Sequence, residues 1–178
     1  RRAYDQQIRL YGEDNPSTSY IRGYLAFSLM SQRKFADAEP LLRTTMEMGR
    51  KHDVAGNSTF NDTMNLGYVL RELQRFEEAE QLYREALAMV DTAFPADRHA
   101  VMRATVHTYL GLTLQGQGKN GDAEAMLEQA LAALPEADQT RRTRASAWRG
   151  LAAIALARGD ATTAESASRK NAPPPVSS

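Results

Sequence analysis

The sequence predicts an all-α fold, an array of antiparallel helix pairs repeated along one chain. Three observations carry this. An alanine recurs at Ala38, Ala79, Ala123 and Ala164, spaced 41, 44 and 41 residues apart, and a period of that length marks one supersecondary unit copied in series. Twelve positions before each alanine stands a tiny residue, Ala26, Gly67, Gly111 or Ala152, each preceded by a leucine (Leu25, Leu66, Leu110, Leu151). Apolar stripes at helical spacing lie on both sides of a break, as in Leu66, Val69, Leu70 and Leu73 and then Phe76, Ala79, Leu82, Tyr83, Ala86 and Leu87. A tiny residue facing an alanine lets two helices cross closely, and the large residues beside them fill the flanks. Neither stripe is hidden by one pair alone, so neighbouring copies stack.

The elements follow in order. A first helix is predicted over 1–11, its apolar positions Tyr4, Ile8 and Tyr11. Because Arg1 lies inside this pattern, we expect a helix left from a preceding repeat and a chain cut or processed from a longer protein. Pairs follow at 17–32 with 35–51, 57–73 with 76–93, 98–117 with 120–134, and 139–158 with 161–170. The breaks hold turn chemistry at Gly12 to Pro16, Gly56-Asn57, Phe94-Pro95, Gly116 to Gly121, Pro135 and Gly159-Asp160. Ser17 and Thr18 are placed to cap the second helix. Pro40 fits only near a helix start, where amides lack partners anyway. The last helix, rich in Thr162, Thr163, Ser166 and Ser168, suits a terminal repeat facing water. The tail 171–178, Asn-Ala-Pro-Pro-Pro-Val-Ser-Ser, reads as disordered or extended. One domain over 1–170 is expected, with repeats at roughly 17–52, 57–94, 98–135 and 139–170.

These residues resemble the tetratricopeptide repeat. The second copy matches its pattern best, with Leu66-Gly67, Phe76, Ala79, Tyr83 and Ala86; the fourth keeps a tryptophan as Trp148, three residues before Leu151. The family's usual period is about 34. The longer period here is similar to the kinesin-light-chain variety, as is the segment Gly12 to Thr18. The resemblance covers roughly 1–170. It implies a right-handed α-α superhelical solenoid of about four pairs plus the N-terminal helix.

Composition narrows the function. Lys+Arg and Asp+Glu are 22 each, so no global field is present to hold nucleic acid or an anionic membrane. The absence of cysteine removes disulfides, thiolate metal sites and a thiol nucleophile. No apolar run reaches the length of a membrane span, and no signal peptide opens the chain, so a cytoplasmic location is expected. His52, His99 and His107 have no third ligand at a useful spacing; His107 stands at the copy position of Trp148 and reads as a packing residue. Glu39, Glu80, Glu124 and Glu165 each follow an anchor alanine, and a residue repeated in every copy serves structure. Glu77, Glu78 and Glu85 beside Arg75 and Arg84 read as surface ion pairs. Gly116 to Gly121 lacks the preceding strand and the Gly-Lys-Ser/Thr ending of a phosphate loop. Asn57-Ser58-Thr59 and Asn61-Asp62-Thr63 match the glycosylation acceptor pattern without a secretory signal. No catalytic constellation, metal site or cofactor is expected.

What remains is a surface. In the family, the first helix of each pair lines a concave groove. With Leu66, Val69, Leu70 and Leu73 facing the stack, the second copy leaves Asn61, Met64, Asn65, Tyr68 and Arg71 on the open side. The matching sets are Tyr20, Gly23, Tyr24, Phe27 and Met30; Thr105, Thr108, Tyr109, Leu112 and Gln115; and Arg142, Ser146, Arg149, Gly150 and Ala153. The first is aromatic, the middle amide and hydroxyl, the last cationic. Amides pair with peptide backbone, aromatics take apolar side chains and arginines take acidic groups. Asn65 matches the asparagine by which many such repeats hold a ligand backbone. The basic clamp for chaperone C-termini is not matched, since Thr105 and Tyr109 stand there. The expectation is a non-catalytic module, a scaffold or adaptor, binding a protein or peptide that carries acidic groups. The alternatives are a regulatory or sensor segment of a larger bacterial kinase or transcription regulator, and self-association through open solenoid ends. Arg141, Arg142 and Arg144 at one helix start oppose its dipole with no structural gain legible in the sequence.

Overall fold

A computed structural model describes residues 2–12, 15–51 and 57–170. Among these, the regular structure is helical throughout: α1 (Arg2–Tyr11), α2 (Pro16–Ser31), α3 (Phe35–Lys51), α4 (Asn57–Glu72), α5 (Phe76–Ala93), a short 3-10 turn (Ala96–Arg98), α6 (His99–Gly116), α7 (Asn120–Ala133), α8 (Asp138–Ala157) and α9 (Ala161–Lys170). The expected tail, Gly56 and His52 lie outside the described residues. Contacts divide the chain into two compact units, Arg1–Pro95 with α1 to α5 and Ala96–Ser178 with α6 to α9.

In the first unit α1 packs on α2, α2 on α3, α3 on α4 and α4 on α5. Ala26, Ala38, Leu66 and Ala79 are fully buried. The crossing of α4 and α5 is set by Gly67: a methyl group there would come within 2.9 Å of the Tyr83 ring. Phe60 and Phe94 close its far end edge to face, centroids 4.8 Å apart. The second unit repeats the plan. Ala104, Leu110, Ala123, Leu127, Ala130 and Ala147 are buried. A methyl on Gly111 would meet Leu127 at 2.9 Å and the Ala123 carbonyl at 3.1 Å. The spacing of tiny residue and anchor alanine is therefore a helix-crossing code, and it holds in both units.

Each pair turns by one device. The residue five before every anchor adopts a left-handed backbone: Arg33 (φ 59), Gln74 (φ 61), Gly118 (φ 78) and Gly159 (φ 78). The following amide returns to the helix, from Lys34 to Leu29 O, Arg75 to Leu70 O, Lys119 to Leu114 O and Asp160 to Ala155 O. This paired closure satisfies the last carbonyls of the first helix and reverses the chain.

Two expectations about helix starts are corrected. Pro16 takes the first helical position, and the amides of Thr18 and Ser19 bond the Asn15 carbonyl. Thr18 is fully buried and its hydroxyl donates to Gly12 O at 2.8 Å, tying α1 to α2 rather than capping α2. The Ser17 side chain lies outside the described residues. Pro40 lies at the sixth position of α3, past the first turn, and leaves the exposed Ala36 carbonyl without an i+4 amide.

Candidate functional site

The glutamate that follows each anchor is held by arginine in every copy. Glu39 takes Arg43 at 2.8 Å and Arg75 at 2.7 Å; Glu80 takes Arg84, Glu124 takes Arg158, and Glu165 takes Arg169. Arg43 and Arg75 also share Glu78, closing a four-membered network between α3 and α5. The Arg75 hydrogen bond, the largest influence, holds the Glu78 carboxyl below its ordinary range; desolvation opposes it, and Arg43 adds to the lowering. These charges serve packing. Among the described residues no group of three or more His, Asp or Glu could hold a metal ion, and no helix is long and apolar enough to cross a membrane. Burial first, and the Arg103 charge after it, lower the pKa of His107 from its ordinary value.

The open faces of the first helices form the remaining surface. On α2, Tyr20, Tyr24 and Phe27 are 66%, 59% and 65% exposed. The two tyrosine rings meet edge to face at 4.6 Å and their hydroxyls share a 2.8 Å hydrogen bond. On α4, Asn61 is exposed and Asn65 and Met64 are half-buried. Neither asparagine side chain has a partner among the described residues. Tyr68 packs edge-on to Phe35 at 5.8 Å. Arg71 lies over the Tyr68 ring at 5.3 Å and donates to Glu72 at 2.7 Å, so its charge is already balanced. Among the described residues of the expected set, the open faces of α2 and α4 are thus aromatic and amide, and their one arginine, Arg71, is engaged.

In the second unit the expected set is only partly open, and two of its members are corrected. Thr108 is fully buried, its hydroxyl returned to Ala104 O at 2.9 Å; it is a core residue. Gly150 is also buried, at a close approach where a methyl would meet Leu127 at 2.7 Å and Leu112 at 2.8 Å. Both positions face inward because each fills a close contact with its own or a neighbouring helix, Thr108 through its bond to Ala104 O and Gly150 against Leu112 and Leu127. Thr105 is half-buried and bonds Val101 O, Tyr109 and Gln115 are half-buried, and Arg142 and Arg149 are exposed, with Arg149 donating to Ser146 Oγ at 3.0 Å. Arg142 has no partner among the described residues.

The structural gain missing from the sequence for the three arginines is visible for two. Arg144 donates to Leu134 O at 2.6 Å, capping the carbonyl end of α7, and pairs with Glu136; a cation there favours the dipole. Arg141 pairs with Asp138. Arg142 alone remains for a ligand. Sequence reasoning also missed Arg22, fully buried with an N–H directed at Met48 Sδ. Its spacing four after Thr18 and four before Ala26 puts it on the inward face, but its charge masks that.

Two family models described as tetratricopeptide repeat match residues 59–136 and 110–173, together well over half of the chain. No curated protein matches. Among solved structures, BtubC (BKLC) from P. vanneervenii is 22% identical, with 92% of this chain and 70% of that one covered at a TM-score of 0.72. A putative kinesin light chain with nearly identical TPR-like repeats from Podosopora anserina is 17% identical, covering 96% and 81% at 0.71. A second structure of that protein gives 0.73 over 96% and 80%, also at 17% identity. The likeness is one of fold: an all-α solenoid of long-period repeats.

Proposed function

The chain belongs to the tetratricopeptide-repeat family, and we propose that it binds an extended protein or peptide segment along the first helices of its pairs, as a non-catalytic scaffold or adaptor. Repeats of this family mediate protein–protein interaction in general and are typically not catalytic. The observation that carries the reading is the pair of side-chain amides on α4. Asn65 is half-buried, and neither it nor the exposed Asn61 one turn away makes a side-chain hydrogen bond among the described residues, so both offer donor and acceptor to the outside. That is the chemistry of a peptide backbone. Tyr20, Tyr24 and Phe27 supply apolar contact in the repeat before. In the second unit, Arg142 and Arg149 supply cations for acidic groups.

The test is a peptide array followed by calorimetry on variants. Asn65→Ala is expected to weaken many sequences alike, by about 1–2 kcal/mol, because a backbone contact does not read side chains. Phe27→Ala is expected to act mainly on apolar ligands. Binding unchanged in an Asn65, Phe27 and Arg149 triple variant would place the ligand elsewhere.

A further inference from the structure

The exposed aromatic face of α2 is not matched to an acidic ligand. The only charged residue of α2 (Pro16–Ser31) is Arg22, and it is buried. The open face therefore presents three rings and no charge. Tyr20, Tyr24 and Phe27 follow an i, i+4, i+7 pattern, so they form one stripe about 10 Å long. Of the two tyrosine O–H groups, one is used in their mutual bond. The other has no acceptor among the described residues and can donate to a ligand. The stripe thus asks for a ligand that is apolar, uncharged, rich in carbonyl acceptors and about 10 Å long.

The chain itself contains such a segment. Ala172-Pro173-Pro174-Pro175-Val176 carries no charge. Prolines have no amide donor and leave their carbonyls unbonded. A polyproline II helix advances about 3.1 Å per residue, so three prolines span about 9 Å and match the stripe. Its conformational cost on binding is small because φ is already fixed. Aromatic-lined surfaces recognise this form by stacking on the rings of proline and by donating to its carbonyls.

We infer that the Tyr20–Tyr24–Phe27 face of one chain docks the Pro173–Pro175 segment of a second copy. The face belongs to the first repeat and the segment follows the last. Each contact between copies therefore joins two different surfaces, the face of one chain and the tail of another. The inference rests on the reading above, that the first helices carry the binding surface, and names one occupant for its first repeat.

The test uses the full chain and sedimentation velocity over a wide concentration range. The average mass of the wild type is expected to rise above the 19.7 kDa of one chain. Two variants are then compared: a face variant, Tyr24→Ala with Phe27→Ala, and a tail variant with Pro173, Pro174 and Pro175 each changed to Ala. The face residues are exposed, so unchanged helicity and melting are expected in both. Each variant alone is expected to associate at least about tenfold more weakly, as loss of a single hot-spot contact commonly does. An equimolar mixture is expected to recover association but stop at two chains, because one partner supplies the face and the other the tail. A wild type that stays monomeric overturns the inference, as does association that survives either variant. A tyrosine fluorescence change between wild type and tail variant that is independent of concentration would place the tail on its own chain and also overturn it. A monomeric chain whose face binds only proline-rich peptides of other sequence overturns it in favour of a foreign partner. In either case array hits that still depend on Asn65 would leave the broader reading standing.

Discussion

Asp62 carries a cost that only its setting reveals. Its carboxyl is half-buried on α4 and has no ion pair or hydrogen bond among the described residues; burial raises its pKa from 3.8 to about 6. The folded state therefore keeps a proton that the unfolded chain releases across the window from 3.8 to about 6. Stability falls as pH rises through that window, and the penalty is fully present above it. A gap of that size between the folded and unfolded pKa corresponds to at most about 3 kcal/mol, and the remaining exposure to water reduces this to about 1 kcal/mol. Asp62→Asn is expected to raise stability by that amount at neutral pH and by nothing at a pH below the window, read by chemical denaturation at both. Gln74 carries a different cost. A side chain at φ 61 is strained by roughly 1 kcal/mol relative to glycine. Gln74→Gly is expected to stabilise by up to that amount, less the entropy glycine adds to the unfolded chain. Equal or lower stability in thermal denaturation would remove the strain argument. Neither cost is legible in sequence: Asp62 is one of many carboxylates, and Gln74 is not the glycine that a left-handed turn advertises.

At the scale of the element, the helix borders are legible because two signals agree. The apolar period stops where the turn chemistry begins, and the tiny residue and the anchor alanine fix which faces meet. The turns are legible at Gly118 and Gly159, which announce the left-handed closure, and not at Arg33 and Gln74, which take the same backbone because the bonds back to Leu29 and Leu70 hold it. The open side of each first helix is harder to read. Thr108 and Gly150 look outward by type, being small and polar or neutral, yet each fills a close contact inside. Gly111 makes the sharpest test of the crossing code. Alanine is about 1 kcal/mol better than glycine in a free helix, so propensity alone predicts stabilisation by Gly111→Ala. The added methyl would press on Leu127 at 2.9 Å and on a backbone carbonyl at 3.1 Å, and a carbonyl cannot rotate away. Overpacking of this kind costs about 1–3 kcal/mol, so a net loss is expected. A raised melting temperature in Gly111→Ala would show that the helices separate freely and that the spacing is not a packing constraint.

For the whole molecule, net charge decides how a ligand is met. Cations and anions balance at 22 each, and arginines along the second helices are paired with the glutamates there. No long-range field then steers partners to the surface. In the proposed groove electrostatic selectivity would be local, at Arg142 and Arg149 on α8, both exposed. Salt screens such contacts over about 10 Å at about 0.1 M ionic strength. Neutral ligands from the array are therefore expected to bind with the same affinity at low and high salt. Acidic ligands are expected to lose affinity as salt rises, through contacts that a rim charge governs. Arg142→Ala with Arg149→Ala should make the two ligand classes alike, flattening the salt dependence of the acidic class while leaving the neutral class unmoved. Arg144→Ala serves as the contrast. Because that side chain caps the carbonyl end of α7 through Leu134, its loss is expected to lower stability by about 1 kcal/mol without changing the salt slope. Calorimetry at two salt concentrations on these variants separates an arginine that meets a ligand from one that holds a helix. A salt slope that persists in the Arg142 and Arg149 double variant would move the acidic contact away from α8.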